Sequence, residues 1–291
     1  MLVLLTASSP AFSGDRPEYT YRTGVSEVRL TFSATDQNDH GVATLQATDF
    51  AVVDKGVIVR DYQSFSRTDY TRLQLVILLD SSESVTRKFR CEISDAIDLL
   101  SRTSGVPEEN ISLLSFHNAK PLVICAGNCR ATHAENQLPS TQAAGTTPLY
   151  DTVTFASDFL AQHGDAQTEK ALILFSDGQD TVSLRSFRDA LDAAIHKDVR
   201  IYSIDVGRGA TPGTPILQTF ANATGGRYFS ASSGASQALD LLLEGFRASY
   251  TVTYRLPTHV RGFHEIRVLP THNLNLQFRS RSGYYFPDYI R

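Results

Sequence analysis

Four apolar runs constrain the fold of this chain more than any other feature. They occupy Leu75–Leu79, Ile111–Phe116, Ala171–Phe175 and Val199–Val206. Blocks of Val, Ile and Leu of this length, without the alternation of a one-sided strand, predict strands covered on both faces, the pattern of a parallel sheet. Stripes at helical spacing fall between and after them. Phe89, Ile93, Ala96, Ile97 and Leu100 share one face, as do Leu184, Phe187, Leu191 and Ile195, and then Leu239, Leu242, Leu243 and Phe246. Strand and helix in this alternation predict a doubly wound, Rossmann-like α/β domain over residues 71–248.

The flanks follow a different rule. Val28, Leu30 and Phe32 alternate with polar residues, the period of a half-buried antiparallel strand. Asp54-Lys55-Gly56 separates two β-rich runs and reads as a hairpin turn. Beyond the last helix, Tyr250, Val252 and Tyr254 alternate again, then Ile266 and Val268, then Leu274, Leu276 and Phe278. Neither flank supplies enough strands for independent stability. Residues 20–70 and 249–287 are therefore expected to pair into one small β-sandwich, with the α/β domain inserted between them.

Charge narrows the function. The 291 residues carry a formal net charge of −4, with Lys and Arg scattered, so no basic stripe offers itself to a phosphate backbone and nucleic-acid binding is not expected. Leu2–Leu5 and the small-x-small triplet Ala11-Phe12-Ser13 predict a signal peptide over residues 1–13 despite the absence of a basic start; a frayed N-terminal strand is the alternative. No other stretch is long and apolar enough to cross a bilayer as a helix. A periplasmic or secreted location follows from the leader. Cys125 and Cys129 either close a small disulfide loop or stay reduced, with Cys91 unpaired, and two thiolates fall short of a structural zinc site.

Three polar clusters sit at predicted strand or loop ends, where open α/β sheets bind ligands. They are Asp80-Ser81-Ser82-Glu83-Ser84, Gly145-Thr146-Thr147-Pro148 and Ser176-Asp177-Gly178. If they converge, they gather hard oxygen donors suited to magnesium, calcium or manganese. Taken singly, each reads as a helix cap, and Asp180 and Thr181 are expected to cap a helix over residues 183–196.

Taken together, Asp80-x-Ser82-x-Ser84, "GTTPLYD" and "LFSDGQDT" resemble the von Willebrand factor A domain and its metal-ion-dependent adhesion site. With "DFAVVDKG" before and "RSGYYFP" after, nearly the whole chain resembles the bacterial, acidobacterial-type family that carries this domain between β-rich flanks. The resemblance implies Mg2+ (or Ca2+ or Mn2+) held through the hydroxyls of Ser82, Ser84 and Thr147, with Asp80 and Asp177 acting through waters. It also implies a partner protein or peptide that presents Asp or Glu to the ion. Glu83 departs from the family, which tends to carry Gly there, and Thr146 competes with Thr147, which is preferred because it directly precedes Pro148-Leu149.

The expected function is a non-enzymatic, metal-dependent adhesion or assembly module. The alternatives are a magnesium-dependent phosphohydrolase using Asp80 and a structural subunit of an envelope assembly. Against the enzyme, Ser82 stands where a second carboxylate would, and no Lys or Arg is expected beside the three clusters. No Gly-x-Ser-x-Gly elbow occurs. The Gly-rich "VGRGATPG" is read as a turn because its spacing and late position do not suit a dinucleotide.

Overall fold

The computed structural model describes residues 27–68, 70–103, 106–118, 120–132, 136, 143–164, 167–207, 211–230 and 235–286. The leader predicted at residues 1–13 lies outside them.

The apolar runs become β5 (Leu73–Asp80), β6 (Ile111–His117), β8 (Glu169–Ser176) and β9 (Val199–Asp205), buried along nearly their whole length. With the edge strands β7 (Lys120–Cys125) and β10 (Tyr228–Ser230) they form one sheet in the order β10-β9-β8-β5-β6-β7. All neighbours run parallel except β6 and β7. Counted within this domain, the order is that of a doubly wound fold, and its direction reverses between β5 and β8. Because successive strand residues face opposite ways, Ile77 and Leu79 enter one core and Val76 and Leu78 the other. The first core is covered by α1 (Phe89–Arg102) and α5 (Ala235–Arg247). The second is covered by α2 (Leu149–His163), α3 (Phe187–His196) and α4 (Thr214–Thr224).

Local chemistry sets the helix ends. Ser186 and Asp189 make a reciprocal capping box that starts α3, and Gly225, at φ 78°, closes α4 in the left-handed conformation. The capping box displaces the start expected at residue 183. Leu184, expected on the buried stripe, lies before the helix and is 97% exposed. Asp180 and Ser183 serve a different helix. Asp180 Oδ1 and Ser183 Oγ accept from the Tyr150 amide, and Ser183 Oγ also from that of Asp151, so this loop satisfies the first turn of α2. Cys125 and Cys129 are joined as a disulfide, and Cys91 is free and exposed.

The flanks do pair with each other. β1 (Glu27–Thr35), β4 (Tyr62–Arg67), β11 (Ser249–Arg255) and β13 (Gln277–Ser280) form a sheet in the order β13-β1-β11-β4. β2 (Phe50–Asp54), β3 (Val57–Val59), β12 (Gly262–Pro270) and β14 (Gly283–Phe286) form the other, in the order β14-β12-β2-β3. Each sheet mixes strands from before and after the α/β domain. Lys55 and Gly56, both at positive φ, make the tight turn between β2 and β3. The strand expected around Leu274 begins only at Gln277, leaving Leu274 78% exposed before it. The chain leaves the sandwich at Thr68 and returns at Ser249, and the Thr68 amide donates to the Ser249 carbonyl over 2.9 Å.

Between the two sandwich sheets lies an apolar core around Leu30, Phe32, Phe50, Val52 and Val252, and one polar knot. Asp54, fully buried, accepts from the Tyr254 and Tyr284 hydroxyls over 2.9 and 2.8 Å and lies 3.0 Å from His264 Nδ1. Burial, reinforced by Asp54, raises the pKa of both tyrosines, so both stay protonated donors. Removing the carboxylate strands the buried Tyr254 and His264 together with the half-buried Tyr284. Asp54→Ala should therefore cost about 3 kcal/mol or more in urea unfolding, whereas Asp54→Asn, which keeps an acceptor, should cost clearly less. Equal losses in the two variants would show that the acceptor is not what matters.

Candidate metal centre

The expected cluster forms where the winding direction of the sheet reverses. β5 ends on Asp80 and its neighbour β8 ends on Ser176, followed by Asp177. Asp80 is fully buried; its Oδ1 accepts the Ser82 amide over 3.0 Å and its Oδ2 the Ser176 hydroxyl over 2.7 Å. Ser176 Oγ in turn accepts the Gly178 amide over 3.0 Å. Asp80 is thus fixed between the two strand ends.

The capping alternative fails for the serines and for Thr147. Ser82 precedes a short 3-10 turn (Glu83–Val85) but makes no side-chain cap bond, and α1 is preceded by Lys88 rather than Ser84. The Ser82 and Ser84 hydroxyls lie 3.0 Å apart, with Ser82 buried and Ser84 exposed. Thr147 is buried at the start of α2, which has no side-chain cap of its own. Its amide donates to Thr181 Oγ1 over 2.8 Å, and its carbonyl accepts the Thr181 amide over 2.9 Å. Thr146, its competitor, is exposed and tied through its backbone to Asn118.

Two straps lock the first two loops together: the Ala144 amide bonds the Ser81 carbonyl, and the Glu83 amide bonds the Gly145 carbonyl. Gly145, at φ 81°, holds a left-handed backbone conformation that favours glycine here. Asp177 is buried, and both its oxygens accept from Gln179. Its charge lies near enough to raise the pKa of Asp80 further.

Sequence reasoning missed the role of Ser176 and, entirely, Asp205 and the basic pair Arg87 and Lys88. Ser176 belongs to the third cluster, but its bond to Asp80 depends on strand register. Asp205 ends β9 and accepts from the Gly207 amide, the Thr214 hydroxyl and the Tyr228 hydroxyl, bracing the neighbouring loop. The signal was legible, since "VRIYSID" ends on a carboxylate just as "LQLVILLD" does. Arg87 and Lys88 line a cleft with Ser84, Asp177 and Gln179, which corrects the expectation of no cationic side chain beside the clusters. Lys88 is turned aside, its Nζ donating to the Gly207 carbonyl over 2.9 Å.

The donor set fits a small hard cation. Ligand oxygens at about 2.0–2.1 Å from magnesium in octahedral geometry sit about 3 Å from one another, and the two serine hydroxyls already have that spacing. The described residues contain no group of three or more His, Cys, Asp and Glu suited to a metal, so any ion here would depend on hydroxyls. Two buried carboxylates side by side also leave negative charge that a divalent cation would balance.

A doubly wound domain with an oxygen-lined cluster at its strand ends is what the geometry defines. Residues 75–179 match the family model of the von Willebrand factor type A domain. Among solved structures, similar ones include proximal thread matrix protein 1 from the mussel byssus, 13% identical, covering 66% of this chain and 51% of that one with a TM-score of 0.51. Others are an aerotolerance-related membrane protein from Bacteroides fragilis (14% identity, 60% and 98% coverage, TM-score 0.45) and the manganese-loaded TRAP protein of Plasmodium vivax (14%, 77% and 98%, 0.46). These likenesses concern the fold alone. No curated protein matches the sequence.

Burial pushes the Asp80 carboxyl up to about 6 from an ordinary 3.8, against the pull of the Ser82 and Ser176 hydrogen bonds. A carboxyl that holds its proton more tightly in the folded state costs stability as pH rises between those two values. For about two pH units the cost is about 3 kcal/mol. Metal-free protein should therefore lose stability from about pH 4 to about pH 6, and Asp80→Asn should remove that part of the slope. Urea midpoints across this range check it, and identical profiles would refute the assignment to Asp80.

Proposed function

We propose that this chain is an exported, non-enzymatic binding module that captures an acidic group of a protein or peptide partner on a divalent cation, with magnesium expected and calcium or manganese chemically equivalent. The observation that carries the reading is the pair of uncapped serine hydroxyls 3.0 Å apart beside the buried Asp80. Ser82, Ser84 and Thr147 would hold the ion through neutral oxygens, and Asp80 and Asp177 would balance its charge through waters. A divalent ion with mostly neutral ligands supplies a strongly electrophilic open position for a carboxylate.

The chain's own residues favour capture over turnover. Asp80 is fully buried and each of its oxygens is held by a hydrogen bond from the protein, which disfavours its approach to a phosphoryl group as a nucleophile. The Lys88 ammonium is engaged with a backbone carbonyl rather than extended as a clamp. The straps from Ala144 and Glu83 hold the hydroxyl loops in place before any ligand arrives, so little ordering cost remains for binding. Glu83 is exposed on the same loop and opposes an acidic ligand. Export is supported by the closed Cys125–Cys129 disulfide, which belongs in an oxidising compartment. Among the described residues no helix is long and apolar enough to cross a membrane.

Titration calorimetry with magnesium or manganese tests the site. Ser82→Ala and Thr147→Ala should each weaken binding about tenfold or more, the loss of one direct ligand, with circular dichroism unchanged. A partner recovered in magnesium should be released by chelator, and Glu83→Gly should tighten it. Wild-type metal affinity in both alanine variants would sink the metal site. Magnesium-dependent hydrolysis of a phosphate ester, abolished by Asp80→Asn, would replace the binding module with an enzyme.

A further inference from the structure

At the opposite end of the α/β sheet a second polar site is built where the domain meets the sandwich. In the sheet β13-β1-β11-β4, alternate residues face away from the apolar core. Two rows of such residues cross it: Arg29 opposite Thr253 opposite Ser64, and Thr31 opposite Thr251 opposite Ser66. In a free-standing sandwich this face would meet water. Here it meets the starting ends of β5 and β8, where Arg72, Gln167 and Glu169 stand. A cleft of about 240 Å3 remains between the two domains. β5 and β8 are eight residues each, so the cleft lies about 25 Å from Asp80 along the strands.

The lining has one chemical character. Arg29 and Arg72 bring guanidinium groups to it, and Ser64, Ser66, Thr68, Thr251 and Thr253 contribute hydroxyls. The one acidic residue in the lining, Glu169, is buried and ion-paired with the buried Arg200, so it does not neutralise the cleft. Arg29 is held in place, its Nη2 donating to the Gln167 carbonyl over 3.0 Å, whereas Arg67 turns to the Arg247 carbonyl on the other side of the sheet. Thr251 Oγ1 lies 3.1 Å from Thr68 Oγ1 and 3.3 Å from Thr31 Oγ1, which fixes the hydroxyl row. A chain of net charge −4 thus gathers positive charge in one crevice, whose low-dielectric walls strengthen its field.

We propose that this cleft binds the phosphate or sulfate group of a small soluble ligand. Planar guanidinium forks and hydroxyl donors match the oxygens of a tetrahedral oxyanion. The volume lies below the roughly 300–1,000 Å3 of sites for drug-sized molecules, so it suits one such group and little more. The site is separate from the metal centre and does not depend on it.

The probes are inorganic phosphate and inorganic sulfate, added to the full chain at low ionic strength and followed by amide shifts in heteronuclear NMR. Chloride at matched ionic strength and acetate are the comparisons. Saturable shifts at Arg72, Ser66 and Thr253 with phosphate and sulfate, unchanged by chelator, are expected. Arg72→Gln, at an exposed position, should weaken both ions about tenfold or more, the loss of a charge-assisted hydrogen-bonding group. Ser64→Glu, on the exposed edge strand, should abolish binding while circular dichroism and the unfolding midpoint remain those of the wild type. Absence of a saturable response, equal binding of acetate, or an Arg72→Gln affinity within twofold of the wild type would each overturn the proposal.

Discussion

The hydrogen bond from Ser176 to the buried carboxylate of Asp80 is the contact on which the geometry of the candidate site depends. It joins the tips of two adjacent parallel strands that lead into helices on opposite faces of the sheet. A crevice opens at that reversal in any doubly wound fold. Here it is occupied by a charge taken out of water, and burial of such a charge is costly unless something balances it. The hydrogen bonds from Ser82 and Ser176 offset part of that cost, and the carboxyl's pKa still rises because burial outweighs them. The hydroxyl loops are then arranged around a centre that the protein alone leaves electrically incomplete.

The sandwich follows another constraint. Neither flank can bury an apolar face alone, so β1 pairs with β11 and β12 with β2 across the length of the inserted domain. Non-local pairing of this kind carries a loop-closure cost that a folded insert with adjacent ends reduces. The Asp54 knot lies in the same interior and draws Tyr254, Tyr284 and His264 from the returning flank onto a carboxylate of the leading one. It specifies which strands meet as well as helping to hold them.

Much of this was legible before any coordinate. The doubly covered strands, the helical stripes and the hairpin at Lys55-Gly56 follow from periodicity and backbone preference, because burial on one or two faces writes itself directly into residue order. Asp80, Ser82, Ser84, Thr147 and Asp177 stand at the strand and loop ends that the pattern assigned them. What was not legible depends on register or on competition between local options. Leu184 fits a helical stripe, yet the Ser186–Asp189 capping box starts the helix three residues later and leaves it in water. Asp180 has the composition of a cap for the helix that follows it but caps α2 from a neighbouring loop. Arg87 and Lys88 reach the candidate site only because the turn after Ser84 folds back, and the arginine cleft needs three separate strands to be brought side by side. Contacts of that kind carry no signature in sequence spacing.

The adjacency of Thr68 and Ser249 has a mechanical meaning. If a partner tugs on the top of the α/β domain, the tension enters the sandwich through β4 and β11, neighbouring antiparallel strands attached to the domain at one end of the sheet. Both strands are drawn the same way, so the bonds between them are largely spared. The load passes instead to the seven-residue ladder between β11 and β1, where it acts as shear along the strands and engages many hydrogen bonds together rather than one after another. The Arg281–Asp198 ion pair and the Tyr285–Asp192 hydrogen bond brace the two domains beside that ladder. An insertion made this way behaves as a hook on a short, stiff shank.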